Sequence, residues 1–233
     1  MRRKYKTVEV AESGGGYGIS LDRKPMRTPA GKRFEVRQRP LAEAVAEEWR
    51  AQGDKVDPRS MPMTRFVATV LDRIAVERDR IVGELAAFAE TDLLCHRADR
   101  PAELIERQKK GWQPLLDWAE EEIGARFDIA TGVMPLVQPP ATLAAVRVRI
   151  AALDDLELAG IQTLAGGTGS IVLAFAVFLG RIGWEEGHRL SRLDEDHQIE
   201  RWGEDPEAAE RRKSIHADLA DAARLLSLVR VRH

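Results

Sequence analysis

The texture of this chain changes once, near residue 38, and that change limits the fold more than any single motif. Before it, the pattern is short, alternating and punctuated by turns. Thr7-Val8-Glu9-Val10 alternates, Gly14-Gly15-Gly16 breaks the run, Tyr17-Gly18-Ile19-Ser20-Leu21 alternates again and Asp22-Arg23-Lys24-Pro25 turns. Met26-Arg27-Thr28, the turn Pro29-Ala30-Gly31-Lys32 and Arg33-Phe34-Glu35-Val36 repeat the scheme. Period-two runs separated by Gly and Pro predict antiparallel hairpins, which need something larger to pack against. From Pro40 onward the period is helical: Leu41, Val45 and Trp49 fall on one face before Gly53, and Phe66, Val67, Val70, Leu71 and Ile74 on the next. Ile81, Leu85 and Phe88 follow, and Pro101 opens a helix carrying Leu104, Trp112, Leu115, Leu116 and Ile123, with Gly124 at its end. Phe127–Pro140 reads as irregular; Asp205-Pro206-Glu207 supplies a cap, a first-turn proline and an acidic first turn for a last helix through Leu228. The expected architecture is α+β, with a small antiparallel β domain over residues 1–60 and an α-helical domain over residues 61–233.

A chain of 233 residues with 44% hydrophobic residues and a formal net charge of −2 can bury a core and is not disordered. Its single cysteine leaves no internal disulfide framework and fits a reducing compartment. The longest apolar run, Ile171–Leu179, is far short of the roughly 20 residues of a membrane span, and the basic start has no apolar h-region. A soluble, cytoplasmic protein is expected, with no membrane partner. The charge is uneven: residues 1–39 hold 11 Lys+Arg against 4 Asp+Glu, and the rest is acidic. The basic segment lacks interleaved aromatics and reading motifs, so nucleic acid is not the expected partner.

Few residues suggest chemistry. Gly166-Gly167-Thr168-Gly169-Ser170 precedes an apolar helix, where backbone N–H groups attract anions, but no lysine stands where a phosphate cradle needs one and no strand pattern leads in. Tight packing of a buried helix explains those small residues better; an enzyme that uses the turn for a small-molecule substrate is the alternative. His96, His188, His197, His216 and His233 never stand three or four residues apart, so no helical metal clamp is expected. Cys95, in Asp92-Leu93-Leu94-Cys95-His96, reads as a small buried hydrophobe on a mostly apolar helix. Neither catalysis nor a cofactor is expected.

Three polar–aromatic clusters stand out: Glu90-Thr91-Asp92 with Cys95; Gln108 with Trp112-Gln113-Pro114-Leu115-Leu116-Asp117-Trp118; and Leu193-Asp194-Glu195, Gln198, Glu200-Arg201-Trp202-Gly203-Glu204-Asp205. Glu195, Gln198 and Trp202, at i, i+3 and i+7, share a helical face. By spacing alone they are either the edge of an amphipathic core or a protein-binding face with an aromatic anchor.

Taken with Leu21-Asp22-Arg23-Lys24-Pro25-Met26-Arg27-Thr28-Pro29, Glu48-Trp49-Arg50-Ala51-Gln52-Gly53 and Met61-Pro62-Met63-Thr64-Arg65, these clusters resemble, in order and over nearly the whole chain, the assembly chaperones that attend the alpha subunit of the ATP synthase catalytic sector. His197 stands where such a chaperone would have an aromatic residue. The resemblance implies the α+β fold and a non-enzymatic protein without cofactor or small-molecule substrate, cytoplasmic in bacteria and in the matrix for mitochondrial relatives. It also implies that the protein binds the free alpha subunit and shields its assembly interface until the beta subunit joins. The expected partner-binding residues are Asp194, Glu195, Gln198, Glu200 and Trp202, with Asp92 as a lesser one; Trp49, Trp112 and Trp118 are expected in packing.

Overall fold

Alternation and turn chemistry in the first 37 residues produce a small antiparallel sheet. In the computed structural model, which describes residues 2–230, strand β1 (Val8–Ser13) pairs with β2 (Gly16–Leu21) in a register that sets Val8 opposite Leu21 and Ser13 opposite Gly16. Gly14 and Gly15 form the connecting turn at φ +58° and +94°, a left-handed backbone that glycine adopts without a steric penalty. Strand β2 also pairs with β3 (Lys24–Pro25) and β4 (Glu35–Val36). One face of this sheet buries Val8, Ile19, Met26, Phe34 and Val36. Helix α1 (Arg39–Arg50) packs on β1, β2 and β4, and its buried residues Leu41, Ala42, Val45 and Ala46 follow the helical period.

Helix α2 (Pro62–Thr69) begins at a proline and runs into one wide π turn, Val70–Ile74, before α3 (Ala75–Ala87). The extra residue in that turn shifts the apolar face, so Val67, Val70 and Ile74 are buried but Leu71 only partly. Asp72 on the same turn accepts hydrogen bonds from the Thr28 hydroxyl (2.5 Å) and the Ala30 amide (3.0 Å), fastening the Thr28-Pro29 motif in place.

Beyond these lie two 3-10 turns, Phe88–Thr91 and Leu93–Cys95, then β5 (His96–Arg97) and the long helix α4 (Ala102–Ile123). The Asp92-to-His96 stretch is therefore not the continuous helix that its apolar residues suggest: Asp92 itself, at φ −56° and ψ +130°, interrupts it. Gly124 ends α4 at φ +77°, as the sequence predicts. Strand β6 (Ala130–Thr131) pairs in parallel with β5 within the irregular stretch. Helices α5 (Pro140–Ala151), α6 (Asp155–Thr168), α7 (Ile171–Phe178), α8 (Trp184–Ser191), α9 (Leu193–Trp202) and α10 (Pro206–Val229) complete the chain. Asp205 caps α10 by accepting from the Ala208 amide (2.9 Å).

The fold is thus α+β, a small antiparallel sheet followed by helices. It divides into two compact units. Among the described residues, one holds 2–78, 155–159 and 224–230, and the other holds 79–154 and 160–223. The first is built on the sheet and α1. The second is built around α7, where every residue but Val177 is buried, with α4 and α8 packed against it.

Strain in the turn joining β2 to β3 is open to measurement. Asp22 and Arg23 sit at φ +49° and +65°, and Asp22 is tied down by the amides of Lys6 (2.9 Å) and Thr7 (2.8 Å). Arg23 is exposed and holds the same left-handed backbone without such ties among the described residues. Arg23→Gly is therefore expected to stabilise the protein by about 0.5–1 kcal/mol in urea unfolding.

Candidate functional site

The site expected on the penultimate helix is positioned by a set of polar contacts between α4 and α9. Gly111 of α4 lies so close to Leu190 that a β-carbon there would sit 2.7 Å from the end of its side chain, so a larger residue would make Leu190 shift. On either side of this contact, Gln108 donates to the Asp194 carboxylate and the Trp112 indole N–H donates to the Leu190 carbonyl (2.8 Å). Gln108 also accepts from the Ala98 amide (2.8 Å), so one buried side chain orders two segments. Arg107 Nη1 donates to both Glu200 carboxylate oxygens (2.9 and 3.0 Å) while Nη2 reaches Glu103, and the bonds from Arg107 keep the Glu200 carboxyl below its ordinary range. Leu193 and His197, four residues apart, form the buried side of α9.

The opposite side of α9 faces solvent. Glu195, Gln198 and Trp202 are all exposed, as their shared helical face requires, and Trp202 leaves 77% of its surface uncovered. Arg192, buried at the start of the helix, bonds both Glu195 and Asp196 at 2.6 Å and sets the acidic first turn in place. The three carboxylates of that turn lie at the positive end of the helix, where negative charge is favourable. Of the residues expected to bind a partner, Glu195, Gln198 and Trp202 are brought together; Glu200 lies on the docked side, engaged by Arg107, and Asp194 turns inward to Gln108.

Asp92 lies elsewhere and is sealed from solvent. Its two carboxylate oxygens accept from the amides of Leu94 (3.0 Å) and Val172 (3.1 Å). The carboxylate therefore occupies the N-terminus of α7, the position where a bound anion would sit. The glycine-rich segment has a different shape from the turn its composition suggests: Gly166, Gly167 and Thr168 are helical, and the break comes at Gly169, φ +69°. A β-carbon on Gly167 would meet Leu219 at 2.8 Å, so this glycine permits close helix packing. Cys95 is buried nearby, and burial with the Asp92 charge pushes its thiol up to about 12, so it stays protonated at neutral pH. Among the described residues, no group of three or more His, Cys, Asp or Glu side chains could hold a metal ion. No described helix is long and apolar enough to cross a membrane.

Trp112 is fully buried, whereas Trp49 and Trp118 are half-buried. Two features escape the polar–aromatic reading of the sequence. One is Arg192, whose burial follows from the break between α8 and α9. The other is an exposed apolar group in the irregular stretch, Ile129, Val133, Met134 and Val137, which a search for charge-free runs rather than for aromatics would have found.

Two buried groups have measurable consequences for stability. Burial is the main cause that raises the Asp92 carboxyl from 3.8 to about 6, with its hydrogen bonds opposing. The folded state holds this proton more tightly than the unfolded chain, so the site's contribution is greatest in acid. It falls as pH rises from about 4 to about 6, by on the order of 3 kcal/mol. Asp92→Asn points an amide N–H₂ at a backbone donor. It is expected to destabilise by about 1–3 kcal/mol at pH 7, and by more at pH 5, in paired urea melts. His197 is buried with neither ring nitrogen hydrogen-bonded among the described residues. His197→Phe removes that cost and should raise stability by about 1 kcal/mol.

The chain is similar to several known proteins. The profile described as ATP12 chaperone protein matches residues 2–120. The mitochondrial protein atp12 of Schizosaccharomyces pombe is 25% identical over 214 residues, covering 87% of this chain and 74% of that protein. The crystal structure of Atp12 from Paracoccus denitrificans superimposes with a TM-score of 0.96 at 38% identity, over 98% of both chains, and a mutant form of that protein matches equally well. Atu1473 from Agrobacterium tumefaciens, a candidate chaperone, gives a TM-score of 0.93 at 41% identity over 98% of this chain and 86% of that one. The chain belongs to the ATP12 chaperone family, the assembly chaperones of ATP synthase.

Proposed function

We propose that this protein binds the free alpha subunit of the ATP synthase catalytic sector and covers its assembly interface until the beta subunit takes that place. The observation that carries the reading is Trp202, a large aromatic side chain left 77% exposed at the end of a helix whose inner face is firmly docked. An exposed tryptophan beside polar groups is a typical binding anchor, because its ring gains much from losing water while the rim keeps the surface soluble. Glu195 and Gln198 form that rim with Trp202. Glu200 and Asp194 support it from the docked side, and Asp92 contributes through the packing of α7 rather than by contact. A holder of this kind lowers the free concentration of an aggregation-prone subunit by mass action and must later be displaced. An interface with a polar rim suits both demands. The work is binding alone, with no bond made or broken, and it belongs in the compartment where the catalytic sector is assembled: the cytoplasm in a bacterium.

The test separates surface from core. Glu195→Lys leaves Arg192 its second partner, Asp196, but sets a positive charge at the helix start, so it should cost about 1–2 kcal/mol, well short of unfolding the protein. Its affinity for isolated alpha subunit should fall at least tenfold in a titration. Trp112→Ala, the control, should instead lower the melting temperature strongly, because it empties a buried site. Normal binding by Glu195→Lys would remove α9 from the interface. Failure of the unaltered protein to keep co-expressed alpha subunit soluble would overturn the reading itself.

A further inference from the structure

Residues 129–146 contain no Asp, Glu, Lys or Arg, where a chain that is 32% charged would carry about six over that length. A longer charge-free run, residues 158–180, needs no special account because it is mostly buried in α6 and α7. The first run is different, for its leading half is at the surface. Val133 is fully exposed, Val137 is 87% and Met134 65% exposed, and Ile129 is also uncovered.

These side chains are held outward by a closed loop. Gln138, buried, accepts from the Asp128 amide (2.9 Å) and donates to the Asp128 carbonyl (3.0 Å), so its side-chain amide clamps the two ends together. Strand β6 pairs with β5 just inside the clamp, and the Gly132 amide donates to the Arg97 carbonyl (2.8 Å) at a left-handed turn. The Thr142 hydroxyl ties the following helix to the Arg126 carbonyl. Loops of this length with tied ends are compact, and their tips are frequent sites of function. Ordering the tip in advance reduces the entropy lost when something covers it.

We infer that the 129–137 loop is a second anchor for the client, inserting Val133, Met134 and Val137 against an apolar part of the unassembled subunit's interface. This rests on the reading of the protein as a holder of that subunit. The tip's own side chains are uncharged and match an apolar surface, with the Asp99 carboxylate beside Gly132 at the turn. Anionic lipid is a poor occupant, because a membrane-seated segment of this kind carries Lys or Arg beside its apolar face and this loop carries none from 129 to 146. A second copy is also a poor occupant. The exposed side chains offer on the order of 500 Å² per chain, so two loops together bury roughly 1,000 Å², below the about 1,200–2,000 Å² of stable interfaces. As one part of a larger interface with a client, the same area is ample.

The experiment uses the full chain with Val133→Ser and Val137→Ser combined. Both positions are exposed, so melting should be unchanged, while affinity for isolated alpha subunit should fall at least tenfold. A second variant, Val133→Cys carrying an environment-sensitive dye, should shift to the blue when alpha subunit is added. The chain's own Cys95 is buried and does not compete for label. Unchanged affinity in the serine variant, or an unshifted dye, overturns the inference and leaves the client reading intact. Loss of binding in the serine variant with normal binding in Glu195→Lys keeps the loop and removes α9. If the unaltered protein does not bind alpha subunit, both fall. Valine-dependent pelleting with vesicles of phosphatidylcholine and phosphatidylglycerol, or valine-dependent dimerisation in sedimentation, would assign the loop to another occupant and overturn it.

Discussion

The carboxylate of Asp92 at the N-terminus of α7 is the contact around which the second unit is organised. An apolar helix buried on nearly every side has no water at its first turn, so its free amides need an internal acceptor. Ser170 supplies one oxygen, to Leu173 (3.0 Å), and Asp92 supplies the others from a segment 80 residues earlier. Burying a carboxylate to do this is unfavourable in itself, which is why its proton is held up to about 6. The first unit uses the same device on a smaller scale. Glu48 of α1 accepts from the amides of Met63 (2.7 Å) and Thr64 (2.8 Å) and from the Thr64 hydroxyl (2.7 Å) at the start of α2, and burial raises its carboxyl as well.

Buried amides extend this scheme. Gln52 donates to the Glu48 carbonyl and the Ser60 hydroxyl, both at 3.0 Å, and accepts from the Asp57 amide (2.8 Å). Gln108 joins the start of α4 to α9, and Gln138 closes the 129–137 loop. In each case one side chain satisfies backbone or side-chain groups in a non-neighbouring segment, so losing it would strand partners as well as remove a bond. Five polar residues of the separated sequence motifs belong to this set: Thr28, Glu48, Gln52, Asp92 and Gln108 are all buried. Their role in this chain is to fix irregular connections between elements, which packing of apolar faces alone leaves underdetermined.

This division explains what the sequence reveals and what it conceals. Signals carried within a few residues were legible: the period-two hairpins, Gly124 ending α4, and Asp205-Pro206 opening α10 are local chemistry. The shared face of Glu195, Gln198 and Trp202 was legible for the same reason, since helical spacing alone sets it. Asp92 was not, because its partners are 80 residues away and nothing near it in sequence shows that a helix terminus will arrive there. The glycine-rich segment was legible in its role, tight helix packing, but not in its place, which is the end of α6 rather than the start of α7. Its composition suggests a turn, yet Gly167 serves the approach of Leu219 within a helix. Asp194 and Glu200 looked equivalent to Glu195 until α4 placed Gln108 and Arg107 opposite them.

The same division bears on how a holder can be both stable and releasable. If the groups that fasten α9 and the 129–137 loop were also those that meet the client, each encounter would compete with folding. On the proposed reading they are separate: Arg192, Gln108 and Gln138 are buried, whereas Trp202, Val133 and Val137 are exposed. Exposed apolar side chains of this size invite self-association, and the molecule limits that by keeping them few. Trp202 shares its face with Glu195 and Gln198, while the 129–137 loop carries no charged side chain of its own. Small anchors on a rigid frame gain affinity from preorganisation rather than from area, and such contacts are lost one at a time. On the proposed reading, a competing subunit that covered any one of them would weaken the rest of the grip, a property that suits an assembly chaperone.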